Sequence, residues 1–263
     1  MIAALVLAAH VVVVHPDDMM DNPRPKAPIA QWTDAPGRKR VTLPVPGAIL
    51  RGYSYTGKIE RGPVLVMFGG SGNLIKNHDA AARGFARNAS RVVFYDYRGY
   101  GFSTGTAKFE GLRADAVRIY DATLAGSAQK RVAVLGYSMG TDVAEYVALN
   151  RNVGGLILAA PWSNTAKMWV FGDTSHNVYR FTADAVADFD EPAMVRRIRA
   201  PLLVFQGTRD DGIPPNQGRQ LERDAASADK RFVAIVGAKH NGLLENPQSQ
   251  AAVAAFLAHL LNL

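Results

Sequence analysis

Ser138 is the centre of the run Gly136-Tyr137-Ser138-Met139-Gly140. A G-x-S-x-G pentapeptide can set a serine hydroxyl on a sharp, exposed turn between a strand and a helix, ready to attack an electrophilic carbon. Glycines two residues to either side let strand and helix approach closely. The following helix aims its N-terminus at the site, where developing negative charge is favoured. Composition alone should produce the pattern in roughly one chain in ten of this length, so the flanks must decide. Here the apolar run Val132-Ala133-Val134-Leu135 precedes it, and helix-compatible Met139 to Leu149 follows.

A serine nucleophile needs a base, and the base needs a partner that fixes its tautomer. Of the six histidines, His240 alone follows a late apolar run, in Gly237-Ala238-Lys239-His240-Asn241-Gly242. His10 and His15 fall near the N-terminus, His78 precedes a helix, His176 lies in an insertion and His259 in the final helix. The orienting carboxylate belongs on Gly207-Thr208-Arg209-Asp210-Asp211-Gly212-Ile213-Pro214, where Asp210 and Asp211 compete. The tetrahedral oxyanion needs backbone donors. The N–H of Met139 is one, and the loop Gly69-Gly70-Ser71-Gly72-Asn73 offers the other, with Gly70 preferred to Ser71. That loop lacks both the Gly-Lys-Ser/Thr ending of a phosphate loop and the G-x-G-x-x-G spacing.

These groups must be held by elements of matching geometry. Val41 to Val45 and Ile49 to Tyr55 read as a hairpin about Pro46-Gly47. Val64 to Phe68, Val92 to Tyr95, Val132 to Leu135, Leu156 to Ala159, Leu202 to Phe205 and Phe232 to Val236 are short apolar runs, as expected of buried strands. Helical stretches at Asp79 to Asn88, Leu112 to Leu124, Met139 to Leu149, Asn216 to Ala226 and Gln248 to Leu260 separate them. The alternation implies an α/β fold with a mostly parallel central sheet of about eight strands, helices on both faces, and a site at the strands' carboxyl ends.

The chain has 263 residues, which suits one large domain, and 48% hydrophobic with 20% charged residues is an ordinary globular balance. With no cysteine, a thiol nucleophile, a cysteine-based zinc site and disulfides are excluded. The net charge of +7 comes from scattered residues, and no nucleic-acid motif accompanies it. Ile2 to Val14 is apolar apart from His10, short for a bilayer span and nearer the apolar part of a signal peptide. The N-terminal region, residues 1–39, is therefore expected to be an export or tethering segment followed by a Pro-rich linker, with a packed N-terminal helix as the alternative for its apolar run. Peripheral membrane association through it is the one non-substrate partner expected, with a cytoplasmic location as the alternative.

From residue 40 to 263 the chain resembles the α/β-hydrolase superfamily, in particular the small single-domain branch of bud-emergence-type hydrolases and protein depalmitoylases. The resemblance rests on Asp96-Tyr97-Arg98-Gly99-Tyr100-Gly101-Phe102-Ser103-Thr104-Gly105, on the serine turn, and on the Asp210 to Pro214 run. It implies that Asp210, not Asp211, is the acid. It also implies that the stretch after Asp96 is structural, and that the insertion at about 162–200 forms a small lid. Trp162, Met168, Trp169 and Phe171 in that insertion are candidates for an apolar substrate pocket. Many relatives carry His-Gly at the oxyanion strand end, where this chain has Phe68-Gly69. The expected activity is cleavage of an acyl ester or thioester with no metal or organic cofactor. A peptidase or amidase using the same triad, and a non-catalytic binding protein on the same fold, are the alternatives.

Overall fold

The computed structural model describes residues 26–72, 74–128, 132–163 and 190–263, and the backbone alone of 11–14 and 178–181. Among the described residues ten strands run in chain order: β1 Val11–Val14, β2 Arg38–Val45, β3 Ala48–Thr56, β4 Val64–Phe68, β5 Arg91–Tyr95, β6 Val132–Tyr137, β7 Gly155–Ala159, β8 Val178–Phe181, β9 Leu202–Gly207 and β10 Lys230–Ile235. The helices are α1 Asp79–Ala86, α2 Phe109–Ala125, α3 Gly140–Asn150, α4 Glu191–Val195, α5 Asn216–Asp224 and α6 Pro247–Leu260.

Eight strands form one sheet in the order β10-β9-β7-β6-β4-β5-β3-β2. The β2–β3 and β3–β5 pairs are antiparallel, and every other pair is parallel. The hairpin closes over two residues, where Gly47 takes a φ of 75° that a side chain would resist. β4, β6, β7 and β9 are buried along their whole length, as continuous apolar runs require of strands covered on both faces. α1 and α6 pack together on one face of the sheet, and α2, α3, α4 and α5 form a chain of contacts on the other. This is the α/β-hydrolase fold, with β6 and its serine turn near the middle of the sheet.

The structure adds to the sequence reading in three places. The last strand is an edge with one neighbour, so it is only half-buried, and Val236 lies beyond it at 70% exposure. The stretch read as a linker packs down from Lys26 onward. There Ala27 is buried, its N–H reaches the Gly101 carbonyl at 3.2 Å, and the Trp32 indole donates to the Gly52 carbonyl at 3.1 Å. Part of the N-terminal apolar run, β1, pairs in parallel with β8 of the insertion in a separate two-stranded sheet. Among the described residues no helix is long and apolar enough to cross a membrane.

Candidate active site

The turn after β6 has the strained geometry that an exposed nucleophile requires. Ser138 has a φ of 53°, one of only two non-glycine residues with positive φ among those described. Its N–H donates to the Ala159 carbonyl at 2.9 Å, and its carbonyl accepts from the Thr141 N–H at 2.8 Å. The flanking glycines are needed for space. A Cβ on Gly136 would lie 2.1 Å from the Gly140 carbonyl oxygen, and one on Gly140 would lie 2.3 Å from the Phe68 carbonyl oxygen. The second contact also shows that the start of α3 is pressed against the end of β4, where the Gly69-Gly70 loop begins.

The structure separates the two competing carboxylates. Both Asp210 oxygens lie 3.0 Å from His240 Nδ1. Asp210 Oδ1 also accepts from the N–H groups of Gly212 and Ile213, at 2.9 and 2.8 Å. Asp210 and His240 are both buried, at 3% exposure. The side chain of Asp211 is half-exposed, pairing with Lys239 at 3.3 Å and touching only the backbone N–H of His240, at 3.4 Å. Gln206, buried in β9, holds the acid loop: its amide nitrogen donates to the Ile213 and Pro214 carbonyls, and its oxygen accepts from Gly218. With Nδ1 donating to a carboxylate, Nε2 is the nitrogen that can accept a proton.

Tyr137 joins the two halves. This residue precedes Ser138, and its hydroxyl donates to the His240 carbonyl at 2.8 Å while the two rings stack at 5.2 Å. Burial, with Asp210, Glu245 and Asp211 nearby, pushes its phenol well up, so it remains a protonated donor. Tyr137 is an unspecified position of the pentapeptide, and nothing in the spacing marked it.

The Gly69-Gly70 loop and the residues after it are braced from the stretch that begins at Asp96. Asp96 Oδ1 accepts from the Ile75 N–H at 2.8 Å, and Oδ2 from the Phe102 N–H at 3.0 Å. The Tyr97 hydroxyl donates to the Gly69 carbonyl at 2.8 Å. Gly101 must be glycine, since a Cβ there would come within 2.1 Å of the Asp96 carboxylate. Burial pushes the Asp96 carboxyl up to about 6, against the two N–H donors and the more distant Lys76 and Lys26. Gly70 and Met139 are both buried. Trp162 is fully buried in the hydrophobic core, and its backbone N–H donates to Glu191 Oε2 at 3.1 Å. Met168, Trp169 and Phe171 lie outside the described residues. No cluster of metal-ligating side chains occurs among the described residues.

This topology and site geometry can be set beside known proteins. Solved structures share the α/β-hydrolase fold. A family model described as serine aminopeptidase, S33, matches residues 60–176. An uncharacterized protein of Mycobacterium tuberculosis is 32% identical over 171 residues, covering 63% of this chain and 59% of the relative. The lysophosphatidylserine lipase ABHD12 of Macaca fascicularis is 29% identical over 194 residues, covering 63% of this chain and 48% of the lipase. The chain thus spans about half the length of these relatives. Among solved structures, Est1E from Butyrivibrio proteoclasticus with bound ferulic acid superposes with a TM-score of 0.70 at 16% identity, covering 85% of this chain and 100% of that one.

Proposed function

We propose that the protein is a serine hydrolase of carboxylic esters or thioesters that works through an acyl-enzyme on Ser138. The observation that carries this reading is the buried Asp210–His240 pair, tied through Tyr137 to the strained turn of Ser138. In the proposed cycle the Ser138 hydroxyl attacks the acyl carbonyl and His240 Nε2 takes its proton. Asp210 holds the ring and stabilises the imidazolium. The N–H groups of Met139 and Gly70 receive the oxyanion, each worth on the order of 3 kcal/mol of barrier lowering. His240 then protonates the leaving alcohol or thiol, and activates the water that releases the acid. No metal or organic cofactor enters this chemistry.

The names of the relatives bear on the substrate in two ways. The relative named as a lysophosphatidylserine lipase favours an oxygen ester. The description of the matching family model favours a peptide amide as the second reading. We further propose that the insertion at about 162–200 forms the lid, and that Met168, Trp169 and Phe171, rather than the core residue Trp162, contact the acyl part.

A fluorophosphonate probe tests the nucleophile. Wild type should label and Ser138→Ala should not; equal labelling of both, or none of either, would overturn the assignment. Turnover of nitrophenyl esters of increasing acyl length, of matched thioesters and of an aminoacyl nitroanilide then ranks the substrate classes. The ester should be fastest, and a faster anilide would establish the peptidase reading instead.

A further inference from the structure

Three buried carboxyl groups surround the first turn of α3. Asp142 is held by Arg113, with Nε to Oδ2 at 3.0 Å and Nη2 to Oδ1 at 2.5 Å. Glu145 is fully buried, and neither of its oxygens has a hydrogen-bond partner among the described residues. Glu191, from α4 at the far end of the insertion, is also fully buried. Its Oε1 lies 2.5 Å from Thr141 Oγ1, and its Oε2 accepts from the Trp162 N–H at 3.1 Å. Thr141 Oγ1 in turn lies 2.5 Å from the Ser138 carbonyl oxygen.

The hydroxyl of Thr141 has one hydrogen and two oxygens at bonding distance. If Glu191 is a carboxylate, both oxygens are acceptors. Whichever one Thr141 then serves, the other contact sets two oxygens together with no proton between them. If Glu191 is the neutral acid, its O–H donates to Thr141 Oγ1 and Thr141 donates to Ser138. Every contact in the chain then has one proton.

We propose that Glu191 is a positioning residue for Ser138: as the neutral acid it donates through the Thr141 hydroxyl to the Ser138 carbonyl and holds the nucleophile's strained turn. The proposal rests on the reading of Ser138 as the nucleophile. The surroundings agree with it. Burial, with the Asp142 carboxylate beside it, holds the Glu191 acid well above the ordinary range, against the Thr141 and Trp162 bonds and the charge of Arg113. Burial, with Asp142 and Asp190 nearby, pushes Glu145 the same way. Arg113 is paired with Asp142, and Asp190 is exposed, capping α4 by accepting from the Ala193 N–H. Because Glu191 Oε2 also receives the Trp162 N–H, the same carboxyl ties both described ends of the insertion to the serine turn.

Glu191→Gln keeps a neutral donor toward Thr141 and an acceptor toward Trp162, whereas Glu191→Leu removes both. Thr141→Ser keeps the relay and Thr141→Val breaks it. Second-order labelling rates with a small fluorophosphonate, and kcat and KM for a short nitrophenyl ester, should place Glu191→Gln and Thr141→Ser within about threefold of wild type. Glu191→Leu and Thr141→Val should lose roughly tenfold or more in kcat with little change in KM, the loss expected when a single hydrogen bond's worth of transition-state alignment goes. Infrared spectra should show a carboxylic-acid C=O band in wild type that Glu191→Gln lacks. The proposal fails if Glu191→Gln is as slow as Glu191→Leu, or if its loss takes a carboxylate band instead. If wild type does not label at all, the reading of Ser138 fails and this role falls with it. A lost carboxylic-acid band alongside unlabelled wild type would therefore trace the failure to the nucleophile and not to the proton's position.

Discussion

Two histidine–carboxylate pairs meet the ring of Tyr137. His240 lies at 5.2 Å, bonded to Asp210; His78 lies edge-on at 5.6 Å, its Nδ1 2.8 Å from Glu245 Oε1. Both rings are buried. The acids differ. Asp210 is buried, shares both oxygens with the imidazole and is fixed by two backbone N–H groups. Glu245 is 31% exposed and gives His78 one oxygen. It also borders a groove of about 440 Å³ between α1 and α6. His78 Nε2 is buried with no hydrogen-bond partner among the described residues. An imidazole beside a carboxylate is thus not enough to mark a base. The two pairs differ in the rigid placement of the acid and in the element each histidine belongs to, and on the proposed function the first transfers protons while the second staples the start of α1 to the loop before α6.

The strongest test sets the pairs directly against each other. His240→Ala, like Ser138→Ala, should lower kcat on a nitrophenyl ester by about 10⁵-fold or more. His78→Ala should stay within about tenfold, its loss reflecting packing. Equal losses would erase the distinction. The acids should follow the same order. Asp210→Asn should cost about 10⁴-fold in kcat, because an amide no longer secures the required tautomer. Asp211→Asn, whose side chain faces Lys239 and solvent, should change turnover by less than about threefold. A large loss in Asp211→Asn with an active Asp210→Asn would reassign the acid.

Asp96 extends the comparison to a carboxyl with no histidine. Its folded value of about 6 stands above the ordinary aspartate value of about 3.9. As pH falls from neutral, the native state therefore binds the proton before the unfolded chain does. The buried charge costs stability above about pH 6, and that cost is relieved as pH falls toward 4, by on the order of 3 kcal/mol in all. Urea denaturation of wild type between pH 4 and 7 should carry this slope, with stability falling as pH rises. Asp96→Asn should lack it. Parallel curves for the two proteins would show that the carboxyl is not perturbed.

Much of this was legible because chemistry and periodicity coincided. Buried parallel strands read as continuous apolar runs, so the ends of β6, β9 and the loop after β10 could be searched for Ser138, Asp210 and His240. Adjacent aspartates have the same chemistry, however, and only the resemblance chose between Asp210 and Asp211. The structure gives the physical ground, one side chain turned inward onto two N–H donors and the other outward. Glu191 was invisible for a different reason. It lies fifty residues from the Thr141 it touches, in the Asp190-Glu191-Pro192 start of a five-residue helix too short to show a period. Nothing local distinguishes such a glutamate from a solvated one. β10 misled in the opposite direction, because an apolar run does not say whether a strand has one neighbour or two.

The smallest expected effect concerns Glu245, and it decides whether the second pair is only a staple. Burial would raise its carboxyl, but the hydrogen bond and charge of His78, with a backbone donor, outweigh that and hold it below the ordinary range. A depressed carboxyl contributes stability above its unfolded value of about 4.3, and the contribution disappears as pH falls through the lower folded value. Glu245→Gln should therefore be less stable than wild type at pH 7 by at most about 1 kcal/mol, since the pair is partly solvated. The gap should close in acid below about pH 4. Its kcat should remain within about threefold at every pH where it is folded. The stability gap is read by urea denaturation, and kcat with the same ester as above. If the stability gap is present but kcat falls a thousandfold, His78 and Glu245 take part in the chemistry and the contrast across Tyr137 is wrong. If the gap is present and kcat holds, the pair works as a fastener between the oxyanion-loop side and the histidine-loop side of the site.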